Sequence, residues 1–312
     1  MFETYYYTTP NITVFGEVSR QIALPMYTFI NYCFFSHLIA NEGGAIFSQN
    51  VPLRSLIENC MFFACRSSGK GGAVCIYNPS DASSVFNYVC ANNCSSNVVA
   101  NGQSLYVVTS NLLYNYFMYV SVVKCGLLEA PGYHSFTIQG GKQLVKNVNS
   151  SNNKIKYQGT GITIWDGNQT SVSYSNFGGG SSSSGNCYNI QPCFTTHYCS
   201  NCNIFNNTCY YTIIWGYYAN AEFTGCIFSK NSNPLALIQG GSLIIKSCWS
   251  DSYLYSISNT GTITIYNTIS VSSFIDIQHF STYHCQTNHL VKTSNFNFDL
   301  RFNSMLLVIL YL

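Results

Sequence analysis

Two segments near the start of the chain repeat one another, Asn41-Glu42-Gly43-Gly44-Ala45-Ile46-Phe47 and Gly69-Lys70-Gly71-Gly72-Ala73-Val74-Cys75. Each follows an aromatic-cysteine patch, Tyr32-Cys33-Phe34-Phe35 in the first case and Cys60-Met61-Phe62-Phe63 in the second. The glycine pairs are 28 residues apart and the cysteines 27, so two unlike landmarks report nearly one period. A tight turn followed by a short apolar run, repeated at fixed spacing, is the signature of a chain that coils and lays each turn on the last.

The pattern persists beyond these two copies. Cys90, Cys94 and the turn Asn101-Gly102 before Leu105-Tyr106-Val107 read as a third coil with one glycine lost. In the second half Cys202, Cys226 and Cys248 recur at 24 and 22 residues, and Gly240-Gly241 reads as the same paired turn. Ala45-Ile46-Phe47, Val74–Tyr77, Leu105–Val108, 161–165 and Thr262–Tyr266 are brief, alternating or wholly apolar, and rich in β-branched and aromatic residues, which predicts strands. Only 8% of the chain is charged, too little to clothe exposed helix faces. The expected fold is therefore all-β: a single-stranded parallel β-helix, the solenoid architecture of pectin-lyase-like proteins, with neighbouring coils about 4.8 Å apart.

The domain reading is one rod. Residues 1–20 are expected as an N-terminal cap or poorly ordered segment, 21–300 as the β-helix, and 301–312 as an apolar C-terminal segment. The run 177–185, rich in Gly and Ser and followed by Cys187, Cys193, Cys199, Cys202 and Cys209, reads as an excursion from the rod near 178–200.

The chain holds 15 cysteines, so at least one is unpaired in a monomer. Cys33, Cys60, Cys90, Cys202, Cys226 and Cys248 take comparable places in their coils, which predicts a vertical row of buried thiols. Strand spacing exceeds the Cβ separation that a disulfide wants, so the row reads as small hydrophobes. Cys199-Ser200-Asn201-Cys202 beside His197 has finger-like spacing, but the other cysteines match no zinc ribbon or finger. His279, His284 and His289 around Cys285 are five apart, on opposite faces of a strand. The expectation is no metal and no cofactor.

Searches for reaction chemistry return little. No phosphate loop, nucleophile elbow or His-Glu-x-x-His occurs. A carbohydrate-active β-helix enzyme is the alternative to weigh, because such rods often carry catalytic carboxylates on one face. Here there are 11 acidic residues, no two adjacent or two apart, and Asp276 with His279 is the least unsuitable pair. The sequence therefore assigns no catalytic residue. Net charge is +2 with no basic run, which argues against nucleic acid as a partner.

Aromatic residues make up 16% of the chain, more than a thin core can hold, so some must face outward. Two groups stand out as a binding face for protein or glycan: Tyr114, Tyr116 and Tyr119 with Phe117, and Tyr210, Tyr211, Trp215 and Tyr217 with Tyr218. The competing expectation is that rings stack on one another between coils.

The Gly43-Gly44-Ala45-Ile46 and Gly71-Gly72-Ala73-Val74 turns, and Phe228-Ser229-Lys230-Asn231 ahead of Gly240-Gly241, resemble the Gly-Gly-Ala-Ile repeats of the polymorphic outer-membrane-protein-like family of chlamydiae and trichomonads. The resemblance covers residues 28–110 well and 199–270 loosely. It implies a right-handed β-helix displayed at a cell surface or secreted, with an adhesion-type, non-catalytic role. The first residues show no secretory signal, and the apolar run Met305–Leu312 is too short to span a bilayer, so membrane attachment is expected only if that run begins a truncated anchor.

Overall fold

The computed structural model describes residues 2–97, 102–126, 132–251, 256–258, 260–267 and 269–270. Alternation of inward and outward side chains, seen for example in Tyr27–Ser36, makes short strands that bury one edge of every coil. The strands stack in parallel as a β-solenoid with three faces. On the first face Ile22–Ala23, Ile46–Gln49, Val74–Tyr77, Leu105–Val108, Phe136–Gln139, Ile162–Trp165 and Asn186–Ile190 follow one another, then the first halves of Thr212–Thr224 and Ala236–Lys246. The second face runs without interruption from Ile12–Val18 to Thr262–Tyr266. The third ends each coil, from the last residues of Ile12–Val18 to Ile269–Ser270.

Two of the corners of each coil are sharp bends that rest on one residue in the left-handed conformation. Between the second and third faces these are Tyr32, Asn59, Tyr88, Tyr119, Asn147, Tyr174, Asn201, Gly225, Ser247 and Asn267, all with φ between +50° and +63°. Asn and Gly suit that region, whereas a tyrosine there costs about 1 kcal/mol. Flanking strand pairing on both sides holds it in place. The second bend, after the third face, uses His37, Ala64, Asn93, Lys124, Asn152, Gly179, Asn206 and Lys230 in the same way.

Directly after each bend comes an inward column. After the first lie Cys33 and Cys60, then, in register, Val89, Val120, Val148, Ser175, Cys202, Cys226 and Cys248. Five of the six cysteines predicted as a row therefore stand in it. Cys90 does not: it pairs with Met61, one residue past the column, so the period of two turns it to the outer face. Cys65, Cys94 and Cys125 form a further column after the second bend, where their thiols donate to Phe35, Phe62 and Ala91 carbonyls at 3.6, 3.5 and 3.5 Å. In later coils the same place is held by Asn153, Asn207 and Asn231, donating to Val122, Phe177 and Ile204 at 3.1, 3.0 and 2.8 Å. Inside, rings stack between coils, Phe35 on Phe62 at 4.8 Å and Phe86 on Phe117 at 4.6 Å.

The paired-glycine turns are real at the first two copies. Gly43 and Gly71 have φ of +53° and +63°, and a Cβ on either would collide with the carbonyl of Ile46 or Val74. Gly102 continues them at +70°, while its neighbour Asn101 lies outside the described residues. Gly240-Gly241 sits elsewhere. It lies between the first and second faces, inside Ala236–Lys246, with Gly241 in register with Ala219.

Two boundaries differ from the sequence reading. The rod begins at Ile12, already paired with Thr28, instead of at residue 21. Residues 178–200 do not leave the rod, for Asn176–Gly178, Ser181–Ser182, Asn186–Ile190 and His197–Ser200 are ordinary strands of successive faces. Small residues are needed there because neighbours fill the space: a Cβ at Gly178 would strike the Phe205 ring, and one at Gly180 the Thr160 and Asn207 side chains. The segment 301–312 lies outside the described residues.

Candidate functional site

A strand sends alternate residues to opposite sides and a left-handed residue redirects the next, so neighbours in sequence part company in space. The first aromatic group shows this. Phe117 points inward onto Phe86, Tyr119 sits at the bend with φ of +54°, and Tyr114 and Tyr116 point outward from the second face. Tyr119 stacks on Tyr88 at 4.6 Å with 3° between planes, a ladder rung that covers one ring face.

Tyr114 and Tyr116 are not free either. The helix Phe2–Tyr6 lies across the outer side of the second face, with Phe2 buried against Leu56 and Val85. Tyr6 stacks on Tyr114 at 5.8 Å, its hydroxyl donates to Ser55 O at 2.8 Å, and the Tyr114 hydroxyl donates to Tyr5 O at 2.7 Å. Burial pushes the Tyr114 hydroxyl up to about 12. The predicted face formed by Tyr114, Tyr116 and Tyr119 is thus covered or stacked by the chain itself.

The second group is different. Tyr210 and Tyr211 occupy a turn and are 65% and 56% exposed. Trp215 and Tyr217 point outward from the first face, and Tyr218, 59% exposed, turns at a bend with φ of +45°. Tyr217 meets Tyr218 edge-on at 4.7 Å and Trp215 at 5.8 Å. Trp215 has Asn189 and Leu237 as register neighbours, so no ring of an adjacent coil sits over it.

The sequence reading missed the line on which Tyr217 stands. On successive coils of the first face Gln139 is in register with Trp165 and Tyr217 with Gln239, and between these pairs stands Gln191, one residue past Ile190, which is itself in register with Ile164 and Gly216; all five are half-buried. The first four fall at equal offsets of 26 residues. That offset is the signal the sequence carries for the line, and it differs from the 27- and 28-residue spacing of the first coils.

The remaining polar groups serve the stack. Asp81 pairs with Arg54 at 2.8 Å, Asp166 accepts from Gln139 at 2.9 Å, Glu58 from Asn87 at 2.7 Å and Asp251 from Lys230 N at 2.7 Å. Each links adjacent coils. His197 is fully buried between Thr170 Oγ1 and the Tyr188 hydroxyl, both at 2.9 Å, and burial drives it down to about 3. Cys199 and Cys202 both point into the core, with Cys199 Sγ 4.0 Å from Cys226 Sγ. Burial raises the Cys75 and Cys209 thiols to about 12, which keeps them protonated. Among the described residues no group of three or more His, Cys, Asp or Glu side chains is placed to hold a metal ion. Asp276, His279, His284, Cys285 and His289 lie outside the described residues. No helix among the described residues is long and apolar enough to cross a membrane.

No protein-family model, curated protein or solved structure matches the chain.

Proposed function

We propose that the protein is a non-catalytic, adhesion-type β-helical rod that works at a cell surface or after secretion, presenting a broad face to a protein or glycan ligand. The observation that carries this reading is the second aromatic group. Tyr210 and Tyr211 pack on one another just before a strand of the first face, Trp215, Tyr217 and Tyr218 pack on one another along it, and three of the five are more than half exposed. Large rings left in water are costly unless they contact something, and such patches mark interaction sites. The rigid stack beneath fixes their spacing, so a ligand meets a surface that needs no ordering. The Gly43-Gly44 and Gly71-Gly72 repeats support the surface location through their resemblance to the Gly-Gly-Ala-Ile family.

Two measurements test it. Antibody against the full chain should label unpermeabilised cells that make it, and purified protein should bind matching cells in a manner reduced at least fivefold by Tyr210→Ala with Tyr218→Ala. Label confined to permeabilised cells, or cell binding untouched by the double substitution, would overturn it.

A further inference from the structure

The line on the first face mixes two kinds of side chain in a regular order. Over five coils amide and ring alternate, Gln139, Trp165, Gln191, Tyr217, Gln239, whereas the coils before them carry Gln49, Tyr77 and Val108 at the same position. Adjacent positions are one coil apart, so the two rings stand about 10 Å from one another with the Gln191 amide between them and Gln139 and Gln239 beyond them. Unlike Tyr88 and Tyr119, which cover one another, Trp165 and Tyr217 have glutamines above and below them. Among the described residues the Trp165 indole N–H has no acceptor and the Gln239 amide has no side-chain partner.

We propose that this line is a binding track for a linear, uncharged, β-linked glycan lying along the rod. The proposal deepens the binding-rod reading and rests on it for the ligand class. Three features choose the ligand. The track carries no charged side chain, and the carboxylate of Asp166, next to Trp165 in sequence, already accepts from Gln139 at 2.9 Å, so charge matching favours a neutral polymer over an anionic one. Rings offer flat apolar faces and glutamines offer both donor and acceptor, the pair of chemistries a sugar ring presents on its face and at its hydroxyls. In a β-1,4-linked chain successive sugars are turned over, so the same sugar face recurs at every second unit. A ring on every second coil matches that alternation, with each glutamine opposite the intervening sugar. An extended peptide has side chains of unlike size and would gain nothing from a two-coil repeat.

The full-length chain is titrated with cellohexaose, xylohexaose and chitohexaose, following tryptophan fluorescence and calorimetry, with maltohexaose and hexagalacturonate as contrasts. At least one β-linked neutral hexasaccharide should bind. Trp165→Ala and Tyr217→Ala should each weaken it about tenfold and Gln191→Ala about threefold, with Trp165→Phe retaining most of the affinity. The side chains face outward, so circular dichroism melts should be unchanged. Three results each overturn the track: no binding of any neutral β-linked hexasaccharide, affinity unmoved in the Trp165→Ala/Tyr217→Ala double variant, or equal binding of hexagalacturonate. Sugar binding with label found only inside cells would sink the surface reading and leave the track standing. Surface label with cell binding, but no sugar binding, would do the reverse.

Discussion

Residues 12–126 and 132–251 solve the same corner with different atoms. In the first stretch Cys65, Cys94 and Cys125 follow the second bend, and each thiol makes weak contacts of 3.5–3.6 Å to a carbonyl of the neighbouring coil. In the second, Asn207 donates to Phe177 O at 3.0 Å while its own Oδ1 accepts from Gly180 N at 2.9 Å. Asn231 then accepts from Asn207 N at 3.1 Å. A thiol fills the space and donates weakly, whereas an amide both donates and accepts and so ties three coils together. The comparison teaches that the position demands a small side chain able to cap a carbonyl, and that the later coils make it part of a ladder.

Acid should separate the two stretches most. Among the described residues the fully buried imidazoles are His134 and His197, both in the later stretch, and burial lowers each from 6.5 to about 3. The unfolded chain takes up protons below pH 6.5 while the folded one does not. Their contribution is therefore intact above pH 6.5 and is lost at about 1.4 kcal/mol per pH unit per imidazole between pH 6.5 and 3. Hydrogen exchange followed by mass spectrometry at pH 7 and 4.5 should show protection falling first in residues 132–251. Earlier loss in residues 12–126 would break the comparison.

The corner itself comes next. Asn207→Ala strands Gly180 N and Phe177 O inside the rod and should cost about 3 kcal/mol in urea unfolding. Cys94→Ala removes a sulfur and a weak bond, for about half as much. Asn207→Cys should recover part of the loss, and equal costs for Asn207→Ala and Cys94→Ala would show that the ladder adds nothing.

The helix over the earlier stretch gives a smaller effect. Tyr6→Phe deletes the bond to Ser55 O and should cost about 1 kcal/mol, read as faster exchange confined to residues 2–7. Smallest is Glu222, which the Lys246 ammonium holds below the usual carboxylate range. Its stabilisation is present above pH 4.5 and fades as pH falls through the lower folded value. Glu222→Gln should move the melting midpoint less than Tyr6→Phe does, and high salt should erase the difference.

How much of this was legible follows from the physics of a coil. Strands such as Val74–Tyr77, Leu105–Val108 and Thr262–Tyr266 announce themselves by alternation and branching, and they stand where the sequence puts them. The cysteine column was legible through its spacing, apart from Cys90, where a slip of one residue reverses the side chain. Gly178–Gly180 misled because small residues serve close packing as well as flexible loops. Tyr114 and Tyr116 misled because the helix that covers them comes from over a hundred residues away, which no local pattern reports. The track through Trp165 and Gln191 was hidden by drift of the period, since the coil shortens from 31 residues between Leu105 and Phe136 to 22 between Ile214 and Ala236.

The parallel stack of separately bent coils also has a mechanical consequence. Hydrogen bonds between coils point along the rod, so a tether pulling at one end loads only the outermost coil. Each coil that peels away releases about 26 residues, on the order of 90 Å of slack, while the coils behind it keep their shape. Under tension the molecule would lengthen in discrete steps instead of failing at once, like a line fed from a reel.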